Sequence, residues 1–508
     1  MNILFITADQ WRGDAVGYAG RTPVKTPNVD AFAEEAVVFL NHFSQASPCS
    51  PARAALYTGL YQMNNRVCRN GTPLDARFDN IARAARRAGY DPTLFGYTDQ
   101  SADPRHYAPD DPWLRTYEGV LPGFTLRARL PEDERQWLSW LGARGTHFAD
   151  STEAHRPVGV PRGTISDAPP AYGADETQTA YLTDEWLRWH SEQDRTRPWF
   201  AHLSYLRPHP PFIVPAPYNT LINKDQVPGF QRAKSPEAEA ALHPLLECAL
   251  SLTPAASFVR DAPGLVRDLP DAAFRQIRAT YYGMVAEVDA QLGRVFTALK
   301  QTGQWDDTII ILTSDHAEML GDHYALGKGG FHDQSQHVPL VLRVPGAVEG
   351  RRVEAFTEAV DLFPTLLDLL GVAPLHHPDG QSLRAFLGDT PPEPWRDAVH
   401  WEFDFRDVEA GTTETWFGLG SAELNLAVVR TKTWKYVHFQ ALPPLLFNLV
   451  DDPAECINLA EDPAHLKTRL LFAEKLLAWR ARHLDQTLAL QQLTPAGVRT
   501  GTAERTTP

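Results

Sequence analysis

The run Thr308-Ile309-Ile310-Ile311-Leu312-Thr313-Ser314-Asp315-His316 decides the fold class. Four aliphatic residues between two threonines favour extended backbone, where branched side chains pack well on a pleated surface. The run has no polar face, which predicts a strand covered on both sides, the kind found in parallel sheets. It stops abruptly at Ser314, Asp315 and His316. Upstream, a periodic apolar stretch from Ala272 to Lys300 predicts a long helix with Gly303 near its end. The same alternation recurs outward. Asn2 to Thr7 reads as a short buried strand ending at Asp9 and Gln10. Thr26 is the expected cap of a helix with Pro27 at its first position. Helices are expected over Pro51–Leu60 and Phe78–Ala88, the latter closed by Gly89. Strands are expected over Thr93–Tyr97, Trp199–Leu206 and Val338–Val344. Asp361 is the expected cap of a helix through Leu370, with Gly371 stopping it. Such alternation predicts an α/β fold with a mostly parallel central sheet flanked by helices.

The character changes after about Pro374. Val399–Phe403, Ala427–Arg430 and Trp434–Phe439 read as antiparallel strands, and Ala464–Arg480 as an amphipathic helix. The expected organisation is a larger α/β domain over 1–375, a smaller α+β subdomain over 376–484, and a polar tail over 485–508 that could act as an oligomerisation arm. The 508 residues are 43% hydrophobic and 22% charged, which excludes disorder as the whole account. With a formal net charge of −15, bulk charge does not favour nucleic acid or an anionic membrane. Cys49, Cys68, Cys248 and Cys456 are widely spaced and form no disulfide framework. The amino end lacks a basic, signal-like start, and no stretch of about 20 apolar residues is present, so no membrane span and a cytoplasmic location are expected.

Open α/β sheets bind ligands at the carboxyl ends of their strands. Two of the most apolar strands end in Asp9-Gln10 and Asp315-His316. If they are neighbours, two carboxylates, an amide and an imidazole converge. One such carboxylate is more often structural; two such pairs point to a divalent metal. The second constellation is Ser47-Pro48-Cys49-Ser50-Pro51-Ala52-Arg53. Here Pro51 starts a helix, so Cys49 and Ser50 lie at its N-terminus, where free N–H groups favour an anion and are expected to lower a thiol pKa. Arg53 lies in the first turn with its fork of donors. Cys68, Cys248 and Cys456 lack this context and read as ordinary thiols.

Cys49-Ser50-Pro51-Ala52-Arg53 resembles the sulfatase signature Cys-x-Pro-x-Arg, in which the cysteine is oxidised to formylglycine. Residues 55–60 (ALYTGL) are similar to its continuation. The resemblance runs through ILFITADQWR (3–12), TPNVDAFAEEAVVF (26–39), TSDHAEMLGDH (313–323) and LFNLVDDPAECINLA (446–460), nearly the whole chain. Segments such as SPCSPARA (47–54), GLYQMN (59–64), LRPHPPF (206–212) and DFRDV (404–408) resemble one subgroup, the phosphonate monoester hydrolases and their cytoplasmic arylsulfatase relatives. That resemblance implies an alkaline-phosphatase-like core, one divalent metal and a homo-oligomer, a dimer or tetramer.

Carried over position by position, it implies that Asp9, Gln10, Asp315 and His316 bind the metal. Many sulfatases use three aspartates and an asparagine instead. Gln10 and His316 remove one negative charge and add a nitrogen donor, which favours a transition metal: manganese first, zinc next, calcium as the remaining alternative. Cys49, as formylglycine made by a maturation enzyme, matches the nucleophile beside Arg53. A hydrated aldehyde carries two hydroxyls; one attacks sulfur or phosphorus, and the other later loses its proton to expel the bound group. Lys328 matches the lysine that contacts the transferred group, and His209 a general acid near the leaving group. Asn70 and Tyr97 match substrate contacts. Asp14, His323 and His337 are candidates for supporting or structural roles.

Ala317 stands where glycine is frequent. Asp99 stands where phosphonate hydrolases tend to offer a hydroxyl; its carboxylate would repel a dianion, pair with a cationic substrate group, or point away. The expected function is hydrolysis of phosphonate monoesters, phosphodiesters and sulfate monoesters, small anionic esters whose single charge one positive pocket can serve. A dedicated arylsulfatase is the alternative. A phosphatase using Ser50 would need a second adjacent metal for which no ligands are found. A non-catalytic anion binder is disfavoured by the intact set of polar residues.

Overall fold

Seven buried residues, Asn2–Ala8, form strand β1 inside an eight-stranded sheet of this computed structural model, which describes residues 1–131, 133–388, 390–485, 489 and 491–500. The sheet also contains β2 (Val37–Phe43), β3 (Pro92–Gly96), β4 (Thr125–Arg129), β5 (Phe200–Tyr205), β6 (Thr308–Thr313), β7 (His337–Arg343) and β8 (Arg351–Glu358). Their order is β4-β3-β5-β1-β6-β7-β2-β8. Strand β7 runs antiparallel to both its neighbours, and the other pairings are parallel.

Helices cover both faces: α1 (Pro27–Glu34), α2 (Cys49–Thr58), α3 (Ile81–Arg87), α4 (Gln178–Glu192), α5 (Asp271–Gln301) and α6 (Leu362–Leu370). The two-residue period of a strand divides the apolar runs between two cores. Leu4, Ile6, Ile310 and Leu312 pack with α1, α4 and α5. Ile3, Phe5, Ile309 and Ile311 pack with α2, α3 and α6. Each of these side chains removes apolar surface worth about 1.5–3 kcal/mol from water, which is why neither strand alternates with polar residues.

Beyond the main sheet, β9 (Ala398–Asp404), β10 (Asn425–Thr431), β11 (Trp434–Phe439) and β12 (Leu445–Asn448) form an antiparallel sheet. Helix α7 (Leu466–Arg482) places Phe472, Leu476 and Trp479 against Val429 and Tyr436. On the other face Trp401 stacks on Phe43 of β2, joining the two sheets. Of the expected tail, Gln491–Thr494 and Gly497–Thr500 pair as a hairpin; 486–488, 490 and 501–508 lie outside the described residues.

Several local expectations are corrected. Thr26 makes no capping bond: its hydroxyl accepts from Gly17 N and donates to Asp30. Asp361 does not cap α6 with its side chain but accepts from the backbone N–H of Glu358 and Gln381 and from Arg396. The helix expected to start at Pro51 starts at Cys49, and Asn80 caps α3, three residues later than expected. Strands β2, β4 and β8 escaped the sequence because each mixes polar residues into a short run; β4 and β8 are edge strands with exposed charges.

Burial also sets a pH response. Glu287 of α5 is enclosed and accepts hydrogen bonds from the hydroxyls of Thr177 (2.6 Å) and Thr179 (2.8 Å). Burial outweighs those bonds and raises its carboxyl from 4.5 to about 7. The raised group favours the folded state fully below 4.5; that contribution is lost as pH climbs through 7, because the unfolded chain releases the proton first. The loss is about 1.4 kcal/mol per pH unit, or about 3 kcal/mol in all. Glu287→Gln is expected to remove this slope, so urea midpoints of variant and parent should diverge between pH 5 and 8. Parallel curves would refute it.

Candidate active site

Strands β1 and β6 are parallel neighbours with Thr7 opposite Thr313. Asp9 and Asp315, each two residues further on, therefore emerge side by side at the carboxyl edge. Strand β5 lies on the other side of β1 and leads to His209; β3 follows and leads to Tyr97 and Asp99. Helix α2 points its first turn at this edge. Cys49, Arg53 and Tyr57 are spaced four apart and share one helix face.

The pieces meet around two carboxylates. Arg53, fully buried, donates from Nε to Asp315 Oδ2 at 2.8 Å and from Nη2 to Asp9 Oδ2 at 3.0 Å. Its Nη1 reaches Ser204 Oγ at 2.9 Å, and its guanidinium lies 4.3 Å from the Tyr97 ring centre. Tyr97 OH donates to Asp9 Oδ2 at 2.6 Å. Cys49 Sγ sits 3.3 Å from His316 Nε2 and 4.0 Å from Asp9 Oδ1. Lys328 Nζ donates to Gln10 Oε1 at 2.7 Å. Asn70 Oδ1 accepts from Ser50 N at 2.9 Å and so caps α2 from a distance.

Asp9, Cys49, Asp315 and His316 each present a ligand atom within 4.8 Å of the others, all buried. Two carboxylates and one imidazole fit a divalent ion with a hard-to-borderline preference. Gln10 is held close by its backbone: N donates to Asp315 Oδ1 at 3.2 Å, and O accepts from Tyr281 at 2.7 Å. Its φ of 68° lies in the left-handed region, a conformation that costs a non-glycine residue about 1–3 kcal/mol and gathers at functional sites. Ala317, where glycine was the frequent residue, has no positive φ, so its methyl strains nothing.

The electrostatics correct two expectations. The helix start was expected to lower the Cys49 thiol pKa, yet burial and then Asp9 push it well above the ordinary thiol value. A neutral thiol is a poor nucleophile. His209 was expected to serve as a general acid near the leaving group, a role that needs a proton on its ring. Burial and then Lys328 instead lower its imidazole to about 3, so it is neutral at pH 7. Its Nδ1 pairs with the Pro210 carbonyl at 2.7 Å. Asp9 is held well below the carboxylate range: burial would raise it, but His209, Lys328, Arg53 and His316 outweigh that. Asp99 goes the other way. Burial raises it well above its usual value, with Asp9 adding to the rise and Arg53 opposing it. Its surroundings thus favour the neutral form over a repelling carboxylate.

Asp14, His323 and His337 stand outside this cluster. Asp14 pairs with Arg12 at 2.7 Å, and Arg12 also holds Asp322 and the Glu318 and Met319 carbonyls. His337 Nε2 meets the Leu40 carbonyl, and His323 meets Glu239. Sequence reasoning missed Glu318, Ser204 and Gln100. Glu318 is buried, accepts from the Gln10 side-chain amide nitrogen, and through Oε1 accepts from the backbone N–H of Leu320 (3.1 Å) and Gly327 (2.6 Å). Its place two residues after His316 was the available signal. Ser204 and Gln100, the latter donating to Ser50 O at 3.0 Å, had no signal beyond lying at or after strand ends.

Comparison with known proteins adds the following. The sulfatase family description matches residues 1–372, and the description "N-sulphoglucosamine sulphohydrolase, C-terminal" matches 321–482. The chain is 58% identical to the crystal structure of phosphonate monoester hydrolase of Agrobacterium radiobacter, over 99% of both chains, with a TM-score of 0.97. It is 40% identical to the multifunctional alkaline phosphatase superfamily protein PehA of Trinickia caryophylli, over 98% of this chain and 99% of the other. An arylsulfatase of Clostridium perfringens is 26% identical over 94% and 93%.

Proposed function

The chain belongs to the sulfatase family and is an ester hydrolase of that family; we propose that it cleaves phosphonate monoesters, phosphodiesters and sulfate monoesters at the Cys49 pocket. The observation that carries this reading is the convergence of Cys49, Asp9, Asp315 and His316, with Arg53 bridging the two aspartates. Similarity to a phosphonate monoester hydrolase and to an arylsulfatase supports both ester classes.

Converted to formylglycine, Cys49 would supply a hydrated aldehyde for transient esterification, and a divalent ion on Asp9, Gln10, Asp315 and His316, manganese first, would supply positive charge. The chain's own residues do the rest. Arg53 fixes both aspartates. Lys328 offers its ammonium to the oxygens of the transferred group. His209, neutral in the resting pocket, gains basicity when an anion binds beside it and can then give a proton to the leaving oxygen. Tyr97 and Asn70 border the substrate. Asp99, pushed toward its neutral form by burial, repels a monoanionic ester less than an exposed carboxylate would.

The test is a substrate panel on protein whose metal and formylglycine contents are quantified. Conversion of Cys49 lowers the mass of its tryptic peptide by about 18 Da. Turnover of sulfate, phosphonate and phosphodiester substrates by the converted fraction is expected. Rates confined to sulfate esters would favour the dedicated arylsulfatase, and an unmodified Cys49 in active protein would sink the proposed chemistry. We further propose maturation by a formylglycine-generating or equivalent enzyme, residence in the cytoplasm, in keeping with four free cysteines, and assembly into a homo-oligomer. Exposed Leu470, Leu471 and Leu477 on α7 support the assembly; a monomer by sedimentation would count against it.

A further inference from the structure

Lys328 belongs to two places at once. Its ammonium donates to Gln10 Oε1 at 2.7 Å and reaches the Cys49 side chain. The same residue borders a cavity of about 140 Å³ whose other walls include Leu245, Leu250, Leu326, Phe331 and Phe403. Phe403 is half-buried, and the other four are buried. Gly329, next to Lys328, stands so close to Phe403 that a Cβ would lie 3.0 Å from its ring. Phe403 therefore rests on the backbone that positions the ammonium, and the cavity adjoins the Cys49 pocket through Lys328.

Size and chemistry say what fits. An apolar cavity of about 150 Å³ holds a benzene ring. A ring packed against aliphatic and aromatic side chains leaves water favourably, whereas a methyl group would leave most of the space unfilled. Position says which part of a substrate enters. In the reading of the site given above, on which this inference rests, His209 serves the leaving oxygen and Lys328 the oxygens of the transferred group. Lys328 borders the cavity and His209 does not. The cavity thus lies beside the transferred group, away from the leaving oxygen. A sulfate monoester has no organic substituent to place there. A phosphonate monoester carries a carbon group on phosphorus, and a phosphodiester carries a second ester arm.

We propose that this cavity is a subsite for the non-leaving organic group of phosphonate monoesters and phosphodiesters, and that it selects an aryl group over a methyl group. Sulfate esters bind without using it, so one pocket serves both ester classes while ranking the phosphorus esters by their substituent.

The test compares nitrophenyl esters of phenylphosphonate, methylphosphonate and sulfate on the metal-loaded full chain. The parent should show kcat/KM about tenfold or more higher for the phenylphosphonate than for the methylphosphonate, the scale on which an apolar pocket discriminates. Ala249 is exposed and borders the cavity from the helix Pro244–Leu252. Ala249→Trp should erase that preference and leave the methylphosphonate and sulfate rates within about twofold, as befits a surface position. A loss shared equally by the three esters, or an unchanged preference in the folded variant, overturns the subsite. Should Ala249→Trp not fold, Leu246→Phe narrows the cavity from its half-buried wall and is judged by the same criteria. Calorimetry separates the subsite from the hydrolase reading. Phenylphosphonic acid should bind the parent about tenfold or more tightly than methylphosphonic acid, whether or not any ester turns over. Absence of all turnover would count against the hydrolase reading, and equal binding of the two acids would overturn the subsite alone.

Discussion

Cys49→Ala is expected to reduce kcat by about 10⁴-fold or more on every ester the parent cleaves, the scale seen when covalent catalysis loses its nucleophile. The pocket explains why no neighbour should substitute. The Cys49 sulfur lies between His316 Nε2 and Asp9, so the atom to be replaced by the modified group is already beside the metal-competent carboxylates. As a thiol it is pushed toward its neutral form by burial and Asp9, which leaves the unmodified cysteine with little to contribute. Exchange for a methyl removes one atom from a site bounded by polar groups. Stability should therefore change by no more than about 1 kcal/mol. Steady-state rates with phosphonate and sulfate esters, together with near-ultraviolet circular dichroism, check both halves. Activity surviving in a folded variant would pass the role to Ser50, whose hydroxyl is buried without a partner at the next position.

The central sheet and most of this pocket were legible because their signals are local. Unbroken apolar runs announced β1 and β6, and the polar pair after each announced where ligands converge. The sequence could not say that the two strands are neighbours, since adjacency is decided by packing across about 300 residues. The ionisation states were not legible either. For Cys49 the helix-start rule gave the wrong sign, and for His209 an expected general-acid role did not reveal that the resting ring is neutral. Desolvation is a property of the folded surroundings, and it dominates both groups. Glu318 and Glu239 show a related gap. Each acts through a side chain distant in sequence or across a loop, Gln10 for one and His323 for the other, so neither stands in a self-contained motif.

Arg53→Lys is the second large expected effect, and its cause is geometric. One guanidinium serves Asp9, Asp315 and Ser204 from three different nitrogens while lying against the Tyr97 ring. A lysine ammonium is a single point on a longer, flexible stem and cannot span both carboxylates in the same way. A fall in kcat/KM of about 10²–10³ is expected, comparable to loss of an aligned donor in a preorganised site. Arg53→Ala goes further. It leaves Asp9 and Asp315 buried without their shared counter-charge, a loss of about 3–5 kcal/mol in stability when no metal is present. Metal binding should move in the opposite direction. Two carboxylates freed from an arginine attract a divalent ion more strongly, so the alanine variant should hold its metal at least as tightly as the parent while turning over far less. Kinetics combined with metal titration and urea unfolding separate these effects. A variant that loses activity only in proportion to lost metal would show that Arg53 acts by assembling the ligands, not by meeting the substrate.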